Sequence, residues 1–315
     1  MNELFQTANR PDESLFYRKN DRSDVRLGEV VSVREDDYAA ADIVIIGCPQ
    51  DEGVIRNNGR EGARLAPDAI RREFYKLTPF GIKTKIFDFG NTIIKDTLEE
   101  THDAHCRIVT QILNDEKKVI ALGGGNDVSY PDGCAMSEVF GKSNWIAINI
   151  DAHFDVRADQ PRNSGTPYRQ LLEEKLLKPD YFYEIGFQPQ LASPVYYRYL
   201  QNLGVNIISL DQLRSRETAD LEIRELIRQK FISHSSSFST FFGFDIDAVR
   251  SSEAPGVSAP NPFGLRAGEF LTLVQFAAKL SNTKLIEFTE VNPNFDIDNR
   301  TAKLVAVAMH RFCAG

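Results

Sequence analysis

Trp145-Ile146-Ala147-Ile148-Asn149-Ile150 runs directly into Asp151-Ala152-His153-Phe154-Asp155. The first six residues are mostly apolar and branched, which is typical of a buried strand in a parallel sheet. Three side chains that can ligate a metal, Asp151, His153 and Asp155, follow where the strand gives way to a loop. In α/β proteins the chemistry is usually found at this end of the strands. We therefore expect the fold to be built around this strand, with a site at its end.

A second stretch repeats this pattern about ninety residues later, where residues 239–244 run apolar and aromatic into Asp245-Ile246-Asp247. Alternate residues of an extended segment point to the same side, so Asp245 and Asp247 share a face. A single Asp at a strand end is often only a cap for the following turn. Two such clusters, each directly after an apolar strand, favour a shared site instead.

The composition of these clusters indicates metal binding. Four carboxylates packed together repel each other and raise one another's pKa unless cations neutralise them, so a pair of divalent ions explains the cluster. Mixed oxygen and imidazole ligation suits Mn²⁺ best among the common ions, with Zn²⁺, Fe²⁺ and Co²⁺ as alternatives.

Length and charge limit the classes of protein. A chain of 315 residues can form one large α/β domain. Its 37 Lys and Arg against 45 Asp and Glu give a net charge of −8, which argues against a nucleic-acid or anionic-membrane partner. The four cysteines have no metal-ligand spacing, and no run is long enough to span a bilayer. We expect a cytoplasmic protein with an irregular N-terminal segment, 1–40, and a single catalytic domain, 41–315.

Strands and helices alternate along the chain. This alternation predicts right-handed βαβ crossovers and a mostly parallel sheet covered on both faces, a three-layer α/β/α sandwich. The predicted strands are 41–49, 85–90, 118–122, 145–150, 181–186, 205–210, 239–244 and 284–293, and the predicted helices are 67–75, 99–114, 170–177, 220–233, 268–280 and 301–312.

Two loops and two histidines complete the candidate residues. The glycine-punctuated loop 50–63 is either a solvated connection or a rim that grips a substrate carboxylate with Arg and Asn donors. Gly123-Gly124-Gly125 leads into Asn126 and Asp127, either of which can add an oxygen ligand. No Gly-Lys-Ser/Thr follows, so a phosphate loop is disfavoured. His102 and His105 have no acidic partner at a suitable spacing and are expected at the surface or an interface, not among the metal ligands.

Together these segments resemble the ureohydrolases, the group of arginases, agmatinases and formimidoylglutamases. The similarity runs from about residue 45 to 293 and rests on the two Asp clusters, the glycine turn and Glu290-Val291-Asn292-Pro293. The loop 51–63 and Ser164-Gly165-Thr166-Pro167-Tyr168-Arg169-Gln170 are similar to the formimidoylglutamase branch. Arginases carry a histidine where Tyr168 falls, which leans the substrate away from arginine.

The resemblance implies an arginase-like fold, two Mn²⁺ ions, a homo-oligomer of three or six chains, and hydrolysis of a C–N bond in an amidino-type substrate. The reaction would convert N-formimidoyl-L-glutamate and water to L-glutamate and formamide, in histidine catabolism, through a metal-bridged hydroxide. Asp151 and Asp245 would bridge the metals, Asp155 would bind one, and His153 and Asp247 the other. Asp155 would also pass a proton to the leaving amine, and Glu290 would pair with the amidino group. The candidates for binding the rest of the substrate are Arg56, Asn57, Arg60, Tyr168 and Arg169.

One position departs from the family pattern, because Asn126 stands where the family usually has histidine. An amide oxygen is a weaker, neutral donor than imidazole, so the metal that shares Asp155 should be held less tightly. Either Asn126 coordinates through its oxygen, or Asp127 moves in, or one site stays empty. Two other functions remain. One is hydrolysis of another guanidino or amidino compound, as in agmatinases or arginases, because the sequence leaves open which Arg or Asn binds the substrate tail. The other, which Asn126 alone supports, is a metal-deficient, non-catalytic family member.

Overall fold

A nine-stranded sheet forms the middle of the computed structural model, which describes residues 2–214 and 238–315. The sheet order is β1-β3-β2-β4-β9-β8-β5-β6-β7, and only the β1–β3 pairing is antiparallel. The strands are β1 (Ala8–Asn9), β2 (Ile43–Gly47), β3 (Ile86–Thr92), β4 (Lys118–Leu122), β5 (Trp145–Ile150), β6 (Phe182–Phe187), β7 (Asn206–Ser209), β8 (Ser239–Asp245) and β9 (Thr283–Thr289).

Helices cover both faces of this sheet. The described helices are α1 (Asn2–Phe5), α2 (Leu27–Val30), α3 (Glu35–Tyr38), α4 (Glu52–Arg56), α5 (Ala66–Phe74), α6 (Leu98–Asn114), α7 (Ser129–Phe140), α8 (Pro167–Glu173), α9 (Pro194–Leu203), α10 (Leu210–Arg214), α11 (Ala267–Lys279) and α12 (Arg300–Ala314). One core packs α5, α11 and α12 against the sheet, and the other packs α6, α7, α8 and α9 against the opposite face. The predicted three-layer α/β/α arrangement is confirmed.

The inner strands form because their sequences suit burial on both faces. Strands β2 and β5 are buried along their whole length, and continuous apolar runs of this kind are stable only between two layers of helices. Near the edge of the sheet, Asp88 of β3 is buried with Arg71 of α5, whose Nε lies 2.7 Å from its carboxylate, and the Tyr75 hydroxyl also donates to Asp88. This ion pair fastens α5 to β3.

Some elements differ from the sequence prediction. Helices α7 and α9 were not predicted, and part of the loop expected at 50–63 forms the short helix α4. The first forty residues hold three short helices and β1, which adds an antiparallel edge to the sheet. The helix predicted at 220–233 lies outside the described residues. In the part of the chain that is described, no helix combines the length and the hydropathy of a membrane span.

The sheet order brings distant parts of the chain together. Strands β4, β9, β8 and β5 are neighbours in the sheet although β4 and β9 are far apart in sequence. Because the carboxyl ends of parallel strands lie at one edge, the segments that follow these four strands converge there. They carry the predicted ligands and Glu290.

Candidate metal centre

The two aspartate clusters have the same local structure. The first carboxylate of each cluster accepts a hydrogen bond from the backbone N–H two residues later: Asp151 Oδ1 from His153 at 2.8 Å, and Asp245 Oδ1 from Asp247 at 2.9 Å. Such Asx turns are the usual local interaction of Asp at a strand end. Here they fix both carboxylates at the sheet edge.

The clusters meet in two overlapping groups of ligand atoms. Asp151, His153 and Asp247 form one group, and Asp151, Asp155 and Asp245 the other, with the ligand atoms of each group within 4.8 Å of one another. Asp151 belongs to both. One carboxylate shared between two three-ligand groups is the arrangement expected for two neighbouring divalent ions.

The charges in this space are unbalanced without cations. Burial raises the pKa of Asp155 well above its ordinary value, and the charge of Asp151 raises it further. Burial and the charges of Asp247 and Asp151 do the same to the pKa of Asp245. The charge of Asp247 in turn raises the pKa of His153 well above its ordinary value. Two divalent cations would relieve this repulsion, and the carboxylate and imidazole donors suit Mn²⁺, so the residues present fit a dimetal centre.

Two residues of the site have left-handed backbone. Asp155 has φ 46° and Glu290 has φ 63°, which is uncommon for residues other than glycine. Such conformations are concentrated at functional sites, where neighbouring structure holds them in place. The Glu290 backbone is held by hydrogen bonds to Gly124 and Ser258. On its other side Gly124 packs closely against Gln50, because a Cβ on Gly124 would lie 1.5 Å from the Gln50 carbonyl oxygen.

Asn126 lies beside the ligands. Its Nδ2 donates to Asp155 Oδ2 at 2.6 Å, and its Oδ1 accepts from the hydroxyls of Ser129 and Thr289, each at 2.9 Å. Its backbone N–H donates to Glu290 Oε1 at 2.7 Å. The Asn126 side chain therefore lies next to the ligand group of Asp151, Asp155 and Asp245, with its nitrogen facing Asp155.

Asp127, the alternative ligand from the sequence, is occupied elsewhere. Its Oδ2 accepts from Gln50 at 2.6 Å and lies 2.7 Å from His102 Nε2. The expectation that His102 and His105 lie at the surface was wrong: both are buried, and His105 Nε2 lies 3.2 Å from Asp132 Oδ1. Their acidic partners come from the segment after β4, so local spacing could not reveal them.

A cavity of about 590 Å³ opens onto the metal ligands. One part of its lining consists of the metal ligands His153, Asp155, Asp245 and Asp247 together with Glu290. The rest of the lining includes the polar residues Asn57, Asn58, Arg60, Arg157, Ser164, Ser193 and Ser258 and the apolar or aromatic residues Val54, Phe154, Leu191 and Tyr196. The cavity thus combines acidic groups with two arginines, as a substrate with a cationic head and an anionic tail requires.

The predicted substrate-binding residues divide into two sets. Asn57 and Arg60 line the cavity: Asn57 donates to Ser164 at 3.0 Å, and Arg60 donates to the backbone carbonyls of Val257 and Ser258. The structure places Arg56, Tyr168 and Arg169 outside the cavity lining.

Each residue of the second set has a physical reason for its placement. Arg56 is paired with Glu52 and Glu99. Arg169 lies one helical turn from Glu173, with which it pairs at 2.8 Å, and its guanidinium stacks over Tyr199. Tyr168 is fully buried under the ligands.

Arg157 is one of the cavity residues that the sequence prediction missed. It follows Asp155 by two positions, but Asp155 has left-handed backbone, so the period of two of an extended segment does not apply and this spacing could not have revealed it. Its backbone N–H donates to Gly165 at 2.8 Å, its Nε pairs with Asp159 at 2.8 Å, and its side chain is 49% exposed. A Cβ on Gly165 would lie 2.4 Å from Arg157 Cδ, so the glycine makes room for the arginine.

Comparison with known proteins agrees with this geometry. A model of the arginase family matches residues 41–314. The chain belongs to the arginase family. The predicted resemblance to the ureohydrolases is thereby confirmed.

Within this family, the chain is similar to several formimidoylglutamases. A formimidoylglutamase of Staphylococcus aureus (strain bovine RF122 / ET3-1) is 32% identical over 285 residues, 90% of this chain and 89% of the relative. The crystal structure of Trypanosoma cruzi formiminoglutamase with Mn²⁺ is 33% identical and has a TM-score of 0.82, covering 92% of this chain and 97% of that one. An asparagine-to-histidine variant of that protein, also with Mn²⁺, has a TM-score of 0.83 at 32% identity and covers 93% and 98% of the two chains.

Proposed function

We propose that this protein is a Mn²⁺-dependent hydrolase that converts N-formimidoyl-L-glutamate and water to L-glutamate and formamide. The observation that carries the proposal is the cavity itself, which opens onto two ligand groups sharing Asp151 and is also lined by Arg60 and Arg157. Relatives of about one-third identity over most of the chain are formimidoylglutamases, which supports this substrate over arginine or agmatine.

The side chains that would hold the metals follow from the two ligand groups. Asp151, His153 and Asp247 would hold one ion, and Asp151, Asp155 and Asp245 would hold the other, with Asn126 beside Asp155. When bound, such a pair makes water available as hydroxide near neutral pH and polarises the group under attack. Asn126 would serve through its amide oxygen, which requires the amide to present the opposite end from that seen here.

Two carboxyls would act on the substrate. Burial raises the pKa of Glu290 to about 8, so a cation beside it favours its charged form, and the amidino head is a cation of suitable shape. Asp155 lines the same cavity as Glu290, so it can pass the proton released by the attacking water to the leaving amine. Transfer to the amine completes cleavage of the C–N bond.

Polar donors of the cavity lining would hold the two carboxylates of glutamate. Arg157 offers a half-exposed guanidinium, and Asn57 and Ser164 line the same cavity, with Asn57 and Arg157 both next to Gly165. A guanidinium binds a carboxylate through two parallel hydrogen bonds, which fixes orientation as well as charge. Arg60 is largely engaged in holding the loop at Ser258, so we assign it a supporting role.

A substrate panel tests the function. Protein loaded with Mn²⁺ is incubated with N-formimidoyl-L-glutamate, arginine, agmatine and guanidinobutyrate, and formamide, glutamate and urea are measured. We expect formamide and glutamate in equal amounts from the first compound only. Urea from any other compound, or no product from formimidoylglutamate, would contradict the proposal.

Cellular setting and assembly are part of the same proposal. The four cysteines are unpaired, which fits a reducing compartment such as the cytoplasm, and the acidic net charge argues against nucleic-acid and membrane partners. We further propose a single catalytic domain over 41–315 and a homo-oligomer of three or six chains, by similarity to the family. Light scattering on the eluting protein would measure the number of chains.

A further inference from the structure

A second polar layer lies one pleat below the metal ligands. Glu184 of β6, Asn149 of β5, Gly243 of β8 and Glu287 of β9 are partners in register across the sheet. Asn149 precedes Asp151 by two residues, as Gly243 precedes Asp245, so this row faces the same side as the ligands. The side chains of Asn149, Glu184 and Glu287 are fully buried. We call this row the polar layer.

Two donors connect the polar layer to the metal ligands. Asn149 Nδ2 lies 3.4 Å from Asp151 Oδ2 and 3.1 Å from Glu184 Oε2. Ser129 Oγ lies 2.9 Å from Asn126 Oδ1 and 2.6 Å from Glu287 Oε2. The amide of Asn149 has two protons and can serve both of its partners. The hydroxyl of Ser129 has one proton and can donate to only one.

The direction of the Ser129 proton decides the orientation of Asn126. When Ser129 donates to Asn126 Oδ1, the amide nitrogen faces Asp155, which is the arrangement observed. When Ser129 donates to Glu287, its lone pairs face Asn126 and accept from Nδ2, so the amide oxygen faces Asp155. The hydroxyl of Thr289 can donate in the first state and accept in the second.

Glu287 is therefore the group on which the choice depends. Ser129 Oγ lies 2.6 Å from Glu287 Oε2, and Tyr168 and Asp132 of α7 also lie close to this carboxyl; His105 Nε2 lies 3.2 Å from Asp132 Oδ1. Burial and the charge of Asp132 raise the pKa of Glu287. Because Ser129 faces both Asn126 and Glu287, its single proton can serve the Glu287 acceptor only when it is withdrawn from Asn126.

We propose that Glu287 is a positioning residue for the metal centre, acting through Ser129 to set which end of the Asn126 amide faces Asp155. The inference rests on the proposed function only in assigning Asn126 to the metal centre. Carbonyl oxygen binds divalent cations and the amide nitrogen does not, so the orientation of Asn126 controls how tightly the ion beside Asp155 is held.

Metal binding by the full-length chain tests this inference without substrate. We expect Glu287→Leu, which offers Ser129 no acceptor, to weaken the more weakly bound Mn²⁺ by about 10- to 100-fold, the usual effect of losing an outer partner of a ligand. In the Ser129→Ala background the same substitution should change binding less than about twofold, because the connection is already broken. Dissociation constants for Mn²⁺ are measured by competition with a chelating dye. Electron paramagnetic resonance detects whether two Mn²⁺ ions are bound next to each other.

Controls separate positioning from damage to the fold. Glu287→Asp keeps the buried acid but withdraws it from Ser129, so it should also weaken Mn²⁺ binding. This variant replaces Glu287→Leu in the test if the Leu variant does not fold. Thr289→Val and Thr240→Val each remove a buried threonine hydroxyl; the first donates to Asn126, and the second has no hydrogen-bond partner among the described residues. We expect only Thr289→Val to alter metal affinity.

The outcomes distinguish this inference from the proposed function. Independent, multiplying effects of Glu287→Leu and Ser129→Ala, or unchanged Mn²⁺ binding in the Glu287 variants, would overturn the positioning role while leaving hydrolysis intact. Coupled effects on Mn²⁺ binding in a protein that hydrolyses no formimidoylglutamate would support the positioning role and reject the function.

Discussion

Replacing Arg157 by alanine should weaken the hold on the substrate tail. A hydrogen bond to a charged group contributes about 1.5–3 kcal/mol. The Arg157 side chain is 49% exposed and already pairs with Asp159, so water and this carboxylate compete for its donors. We therefore take the lower value, about 1.5 kcal/mol, which corresponds to about a tenfold fall in kcat/KM. The loss should appear mainly in KM, because the tail lies far from the bond that breaks.

The assay compares two substrates and two variants. Formamide release is measured with N-formimidoyl-L-glutamate and with an N-alkylformamidine that lacks carboxyl groups. Arg157→Ala should affect only the first substrate. Arg169→Ala is the matched control. Arg169 lies in α8, shortly after the loop that contains Arg157, but it pairs with Glu173 and does not line the cavity. Equal losses on both substrates, or a larger loss in the Arg169 variant, would refute the assignment.

Four further predictions concern the metal centre and the core. Burial raises the pKa of Glu290 from 4.5 to about 8. The stability that its proton contributes is fully present below the unfolded-state pKa and is lost as pH rises through the folded-state pKa, a loss of roughly 5 kcal/mol at ~1.4 kcal/mol per pH unit. Urea titrations of the metal-free protein should therefore show that the free energy of unfolding falls between pH 4.5 and about 8, and that it falls less steeply in Glu290→Gln. Mn²⁺ should raise the Tm and a chelator reverse it, whereas Asp245→Asn should bind at most about one ion per chain by elemental analysis. Asp88→Ala removes the nearest carboxylate from buried Arg71 and leaves only Asp68, at 3.6 Å, as its charged partner, so it should cost about 3 kcal/mol of unfolding free energy by urea titration while KM stays unchanged. Gly243→Ala places a Cβ 2.6 Å from the Tyr168 hydroxyl, which should cost about 1–3 kcal/mol, and adding Tyr168→Phe should recover part of that loss in thermal melts.

The strands could be predicted from the sequence because burial on both faces leaves a direct signal. The apolar run at 118–122 coincides with β4, and the run at 145–150 with β5. The metal ligands could be proposed for the same reason, since each cluster follows such a run and the period of two assigns its face. The local sequence pattern was sufficient to predict those features that depend on a single segment of the chain.

Features that depend on a second segment could not be predicted in this way. Helix α7 contains Pro131 and Gly133, which usually indicate a turn. Pro131 lies in the first turn, where no N–H bond is lost, and Gly133 packs against Leu171, where a Cβ would lie 2.5 Å from Leu171 Cδ1. The same limit applies to Arg169, because α8 directs this side chain away from the cavity.

The position of β9 has a consequence for how the protein is made. This strand is the last to leave the ribosome, yet it is inserted between β4 and β8 in the middle of the sheet. Until it emerges, the nascent polypeptide can complete only two separate half-sheets, one ending at β4 and the other at β8. The acids of β5 and β8 then lack Glu290 and the edge that carries Asn126. A chain that stops short of β9 therefore lacks the residues that complete the site, and the facing edges of its two half-sheets stay unpaired and prone to aggregation.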